Sequence, residues 1–211
     1  MFKLSGRLKR SIDMIDYQKG DVFVDVGCKS AWASDYLKDC LLVNLDLDEK
    51  ELIKKKKSNP KLNFVVADAR ALPFKDGVIN GLMLFEVLEH VPKGTELMVL
   101  KEINRSLCLG GKLFFSTPNN SFLFTVTDPA YWLIGHRHYD LKKIKLLFKK
   151  TGLKILQEYI GGGIYETIYL IFFYIFRLFK LEFDINFFKN KIDKEYNCNG
   201  KNTIMIKAMK I

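Results

Sequence analysis

The chain is sparing with the residues that impose strong constraints. It has only five prolines among 211 residues. No Pro/Gly/Ser-rich linker, repeat or low-complexity tract divides it, so a single domain is expected over residues 1–211. The four cysteines (Cys28, Cys40, Cys108, Cys198) are too few and too irregularly spaced for a disulfide framework or a zinc site. Reduced thiols, a cytoplasmic setting and no metal ligands are therefore expected. The start, Met1 to Arg7, lacks the apolar run and small-residue cleavage site of a signal peptide. The longest uninterrupted apolar stretch, Ile168 to Phe176, falls well short of the ~20 residues that span a bilayer. With only three histidines (His90, His136, His138), any imidazole chemistry must draw on these.

Acidic residues are also outnumbered. Thirty-four Lys and Arg against 24 Asp and Glu give a net charge of +10. Such a balance attracts nucleic acid, an anionic membrane or an anionic small substrate. The densest run, Lys54-Lys55-Lys56-Lys57, falls where the solvated end of a helix is expected, so it is weak ground for any of the three.

What is abundant is alternation. Helical spacing over Arg7 to Ile15 precedes a β-rich run, Val22 to Val26, that ends at Gly27. Helix is expected over Ala31 to Lys38, then strand over Leu41 to Leu45, helix over Asp48 to Lys57 and strand over Leu62 to Val66. Val78 to Leu84 reads as strand, Thr95 to Leu107 as helix ending near Gly110-Gly111, and Lys112 to Ser116 as strand. An amphipathic helix over Leu141 to Lys150 precedes a strand over Leu153 to Tyr159. An apolar helix over Ile164 to Leu181 forms an insert before the last strand, Thr203 to Lys207. Strands alternating with helices predict an α/β fold, a single Rossmann-like domain with a seven-stranded, mostly parallel sheet and helices on both faces. Such sheets bind ligands beyond the carboxyl ends of their strands.

Three acids stand at three successive strand ends. Asp25 precedes Gly27, whose missing side chain lets backbone amides approach a ligand. Asp46 ends the second strand about 20 residues on, where nucleotide-binding sheets hold a ribose diol. Asp68 ends the third strand, where a carboxylate can accept from an exocyclic amine. Any one alone is a weak signal, since Asp is common in turns.

The ordered series resembles the class I S-adenosylmethionine-dependent methyltransferases, in particular the type 11, ubiquinone-biosynthesis-like branch. The resemblance runs through Ala71-Leu72-Pro73-Phe74, Phe85-Glu86-Val87-Leu88-Glu89-His90-Val91, Glu102 to Gly111, Ser116-Thr117-Pro118-Asn119 and His136-Arg137-His138-Tyr139. It implies S-adenosylmethionine as cofactor. Asp25, Gly27, Cys28 and Lys29 would lie at its methionine end, Asp46 on the ribose hydroxyls and Leu47 against the adenine. Asp68 and Ala69 would contact the adenine edge, and Phe85 and Glu86 would border the reacting sulfonium. Leu47 and Phe85 suit core packing equally well. One departure is that Lys29 and Ala31 stand where the family's loop carries glycine. Lys29 could pair with the cofactor's carboxylate, point to solvent, or obstruct the site and mark a catalytically silent, scaffold-type homologue.

The acceptor is constrained mainly by what is missing. Base-amino methyltransferases of this fold carry Asn/Asp-Pro-Pro-aromatic after the fourth strand, where this chain has Glu86-Val87-Leu88-Glu89; Asp128-Pro129-Ala130-Tyr131 follows the fifth strand instead. No Pro-Cys nucleophile is present and no RNA-binding accessory domain fits the length, so nucleic acid is disfavoured and an RNA or protein acceptor ranks last. His90, His136 and His138 are the candidate bases. The helix over 164–181, with Phe122, Leu123, Phe124, Tyr131 and Trp132, is either buried core or a greasy lid over a small-molecule or lipid-linked acceptor. In the second case, peripheral contact with the inner face of an anionic membrane follows.

Overall fold

The computed structural model describes residues 6–179 and 186–211. Seven strands form one sheet: β1 (Val22–Val26), β2 (Leu41–Asp46), β3 (Asn63–Val66), β4 (Ile79–Phe85), β5 (Leu107–Pro118), β6 (Leu153–Gly161) and β7 (Thr203–Lys210). Their order is β3-β2-β1-β4-β5-β7-β6. The first five pair in parallel, and β7 lies antiparallel between β5 and β6. The strand order reverses between β1 and β4, which places the ligand crevice at their carboxyl ends.

Side-chain alternation along the strands divides the core into two layers. Val24, Val26, Leu82, Leu84, Leu113 and Phe115 pack against α3 (Glu96–Ser106) and α6 (Leu141–Lys150). Phe23, Met83, Phe114 and Met205 face Phe188 and Ile192 of α8 (Asn186–Glu195), together with Met14, which follows α1 (Gly6–Asp13). Gly81 is glycine for want of space: a Cβ there would meet the Phe23 ring at 2.1 Å. Helix α2 (Glu49–Ser58) is capped by Asp48, whose Oδ1 accepts from the Glu51 amide at 3.1 Å. Its lysine run sits at the carboxyl end, where cations suit the helix dipole.

The structure corrects the sequence expectations in several places. The helix expected over Ala31 to Lys38 is only a short 3-10 turn, Trp32–Asp35, entered through Ala31 in a left-handed conformation (φ 54°). The helix expected to Leu107 ends at Ser106, and β5 begins at once and runs through Gly110 and Gly111, absorbing them as an irregularity in its register with β4. Two short helices, α4 (Phe122–Thr127) and α5 (Pro129–Ile134), follow β5. The apolar insert comprises α7 (Ile164–Leu178) and α8, the latter not expected; the end point at Leu181 lies outside the described residues. No helix among the described residues is long and apolar enough to cross a membrane.

Candidate active site

The crevice at the β1/β4 switch is a cavity of about 560 Å³. Gly27, Lys29, Asp46, Leu47, Asp68, Ala69 and Glu86 all line it, and His90 stands at its rim with Val91 and Pro92. Three predicted cofactor-binding residues lie elsewhere. Asp25 shares the strand face of Phe23 and is buried in the layer beneath the cavity. Cys28 is buried as well, and Phe85 stacks on Trp32 with ring centroids 6.2 Å apart.

The loop after β1 is shaped by backbone. The amides of Gly27 and Cys28 both donate to Leu45 O, at 2.8 and 3.1 Å. Gly27 has φ 75°, and a Cβ there would lie 2.4 Å from Val87 Cγ2, across the cavity floor. Lys29 and Ala31 adopt the left-handed conformation without being glycine, and Glu86 after β4 does the same at φ 56°. These three are the only non-glycine residues with positive φ among the described residues, and Lys29 and Glu86 line one crevice. Strain of this kind persists where the surroundings over-determine it. The substitutions at 29 and 31 therefore keep the loop's course.

Asp46 is held ready. Lys29 N donates to its Oδ2 at 3.0 Å and Asp48 N to its Oδ1 at 3.1 Å. Each oxygen keeps a second lone pair for a ligand diol. Leu47 is 68% exposed at the mouth, an apolar surface for a flat ring and not a core residue. Asp68 is more committed than the sequence suggests. Arg70 grips it through Nε and Nη2, with contacts at 3.0, 3.1 and 2.6 Å, and holds the carboxyl below its ordinary range. Arg70 also lines the cavity. It gave no signal in the sequence beyond its turn spacing from Asp68.

Buried acids supply the electrostatics. Burial, reinforced by the charge of Asp46, pushes the Asp25 carboxyl up to about 7, and its Oδ2 has no hydrogen-bond donor. Glu86 is clasped by Ser116 Oγ on Oε1 and Arg7 Nη1 on Oε2, both at 2.7 Å. Arg7, on α1, was not expected at the site. Burial, followed by the charge of Glu86, raises the Glu89 carboxyl to about 7.

The His136-Arg137-His138-Tyr139 stretch clamps the segment after β4. Arg137 Nη2 donates to the carbonyls of Leu88 and Val91, and Tyr139 OH donates to Leu88 O and Glu96 Oε1, each at 3.1 Å. His136 Nδ1 lies 3.0 Å from Asp128 Oδ2, and its Nε2 lies 3.5 Å from Glu89 Oε1. Burial works against its charge, but Asp128 and Glu89 prevail and hold its pKa at about 9. His138 is shut away from the cavity, with Nε2 2.9 Å from Asp128 Oδ2 and only 1% of its side chain exposed. Of the three expected bases, His90 alone lines the cavity, stacked on His136 at 4.8 Å between ring centroids.

This geometry defines a Rossmann-like domain with a crevice at the strand-order switch, lined by an anchored Asp46 and by Asp68 and Glu86. Residues 24–115 match the family model described as a methyltransferase domain. An uncharacterized protein of Methanocaldococcus jannaschii is 22% identical, over 72% of this chain and 69% of its own length. Among solved structures, the methyltransferase in complex with the Haloferax volcanii Trm112 methyltransferase activator has a TM-score of 0.69 at 16% identity, covering 96% of this chain and 88% of that one. Geranyl diphosphate methyltransferase in complex with S-adenosylmethionine has a TM-score of 0.67 at 13% identity, covering 96% of this chain and 84% of that one. The chain thus matches a methyltransferase domain over residues 24–115 and has the fold of solved S-adenosylmethionine-dependent methyltransferases.

Proposed function

We propose that the enzyme methylates a lipid-type or aromatic small-molecule acceptor that reaches the donor cavity past α4, α5 and α7. The observation that carries this reading is the apolar surface those helices present. Phe122 is 79% exposed, Trp132 68% and Phe179, just beyond α7, 66%; Tyr131, Phe172, Phe173 and Ile175 are exposed as well. Helices α4 and α7 are in contact, so these side chains sit on neighbouring elements. Large exposed apolar surface on a small enzyme marks a binding face more often than chance.

Helix α7 is seated the opposite way from a polar-side-out amphipathic helix. Glu166 and Thr167 are buried, with Glu166 accepting from Tyr196 OH at 2.7 Å and from Asn202 Nδ2 at 3.1 Å. The helix thus docks through its polar first turn and through Tyr165, Ile168 and Tyr169, and leaves Phe173 and Ile175 partly exposed. A chain of packed side chains links α4 and α5 to the rim of the cavity. Phe124 and Tyr131 pack on His138 at 5.2 and 5.7 Å, His138 shares Asp128 with His136, and His136 stacks on His90 at the rim.

S-adenosylmethionine supplies a methyl group on a sulfonium centre. For this chain's residues, the roles are as follows. The Gly27–Lys29 backbone and Asp46 hold the ribose end, Leu47 and Ala69 flank the adenine, and Glu86 and the acidic floor favour the cationic end. Lys29 reaches the cofactor's carboxylate. His90 engages the acceptor, with His136 stacked behind it. The net charge of +10 draws anionic head groups toward the protein.

The test pairs binding with turnover. A long-chain alkylphenol should be methylated faster than phenol itself, and wild type should bind anionic vesicles less tightly as salt rises. Phe172→Ser with Phe173→Ser should weaken both while the circular dichroism spectrum stays native. Indifference to vesicles at low salt, together with equal rates on the two phenols, would sink the lipid-type reading.

A further inference from the structure

Residues 141–154 hold six lysines and no acid. All six are exposed, five on α6 and Lys154 on β6. Lysines on a helix are ordinarily a solvated face, and those in the last turn suit the helix dipole. Here, however, part of the run borders a groove of about 490 Å³ between α6 and the start of β6. Lys145, Lys149 and Lys154 line it together with Leu153, Ile155 and Ile211, the last of them 69% exposed. Lys145 is paired with Glu158 at 2.7 Å. Among the described residues, Lys149 and Lys154 have no acidic side chain within 4.0 Å.

The groove runs beside an open sheet edge. Among the described residues β6 pairs with β7 alone, so alternate residues of β6 turn their amides and carbonyls away from the sheet. A polypeptide strand answers such an edge with its own amides and carbonyls at the matching repeat; a bilayer or a nucleic acid does not. The lining also holds no aromatic ring or arginine on which bases would stack. A second copy of this chain is disfavoured by its own charge, since pairing edge to edge would set lysines against lysines. The register of β6 on β7 shifts between Ile155 and Gln157, and a bulge with lysines beside it keeps an edge from pairing indiscriminately. The same lysines that repel a basic or neutral strand attract an acidic one.

We propose that the free edge of β6 and the lysine-lined groove beside it bind an extended acidic and aliphatic segment of a partner protein, which adds to the sheet as a further strand. Main-chain hydrogen bonds along β6 supply the register. Leu153, Ile155 and Ile211 receive the segment's aliphatic side chains, and Lys149 and Lys154 its carboxylates. The docking site lies away from the donor cavity. Met209 pairs with both Lys154 and Lys112, which puts the groove toward the amino end of β5, whereas the cavity lies at the carboxyl ends of the parallel strands. The partner and the methyl donor therefore do not compete for space, and the proposal does not rest on the methyl-transfer reading.

The probe is a fluorescein-labelled peptide of about ten residues that alternates Glu and Val. Fluorescence anisotropy with the full-length protein should show saturable binding, and hydrogen exchange should slow along residues 153–159. Lys149→Glu with Lys154→Glu, both at exposed positions, should weaken binding by about tenfold or more while the circular dichroism spectrum stays native. A peptide of the same sequence with alternate backbone amides N-methylated keeps the charge and loses the strand's donors, and it should bind at least tenfold more weakly. No binding of the parent peptide overturns the proposal, as does binding that the double variant leaves unchanged. Equal binding of the N-methylated peptide overturns it too, because attraction would then be charge alone. Two further results would reassign the groove: polyuridylate or anionic vesicles binding more tightly than the peptide with the same dependence on Lys149 and Lys154, or a dimer of the free protein that the double variant abolishes.

Discussion

Arg7 Nη1 donates to Glu86 Oε2 at 2.7 Å, tying the first helix to the turn after β4 across 79 positions of sequence. The pair is one-third exposed on the arginine side and one-fifth on the glutamate side, so solvent screens part of its attraction. Glu86 also sits at φ 56° on the cavity wall, a conformation that its partners keep in place. Arg7→Met should therefore lower stability by about 1 kcal/mol and weaken S-adenosylmethionine binding as the turn relaxes. Thermal unfolding and calorimetry measure the two effects. Unchanged cofactor affinity would show that Ser116 suffices to hold Glu86.

Asp46 is expected to carry a large share of the cofactor's affinity. Its carboxylate is already fixed by the Lys29 and Asp48 amides, so little ordering remains when a diol binds. Asp46→Ala should weaken S-adenosylmethionine and S-adenosylhomocysteine by a similar amount, about 1–3 kcal/mol. A loss confined to one of the two would mean that Asp46 reads the sulfonium end and not the ribose.

Lys29→Gly separates strain from recognition. Glycine accepts φ 43° freely, so relief of strain, less the added freedom of the unfolded chain, should raise stability by a few tenths to about 1 kcal/mol. Affinity for S-adenosylmethionine should fall, because the ammonium toward its carboxylate is gone. Stability and affinity thus move in opposite directions. A large gain in affinity would instead identify the lysine as an obstruction.

Asp25 supplies a pH dependence whose sign can be worked out. Its folded pKa is raised to about 7 by burial and by Asp46, above the unfolded value near 4. Between those values the folded state binds more protons, so stability falls as pH rises through the window, and the cost is complete above about 7. Asp25→Asn removes the titration. Relative to wild type it should be near neutral at pH 4 and progressively stabilising toward pH 8, on the order of 2–4 kcal/mol at most. Chemical denaturation across that range checks it, and a difference that does not vary with pH would refute it.

The succession of strands and the main helices were legible because each rests on local pattern. A β-rich run ending in glycine, or an acid closing a strand, is visible within a few residues. Helix α8 left a signal as well: Phe188, Ile192 and Tyr196 recur at helical spacing and are buried on one side. The 3-10 turn after β1 was not legible, since the left-handed angles at Lys29 and Ala31 come from the loop's bonds to Leu45 and Asp46, not from their own preferences. Arg7, Arg70 and the His136–Asp128–Glu89 group were hidden for another reason. Their meaning lies in partners that only the folded sheet brings near.

Strand β7 enters the sheet between β5 and β6, and β6 has no other strand neighbour. During synthesis, therefore, residues 153–161 have nowhere to pair until residues 203–210 have left the ribosome. Strands β1 to β5 already neighbour one another in the sheet and can be matched as they emerge. The half that carries the candidate crevice can thus be laid down while the other half is still being translated. The join comes late, when a single ribbon is threaded antiparallel between two waiting edges. Slow decoding between residues 161 and 203 would lengthen the life of a partly assembled sheet with β5 uncovered, the interval in which a chaperone has most to guard.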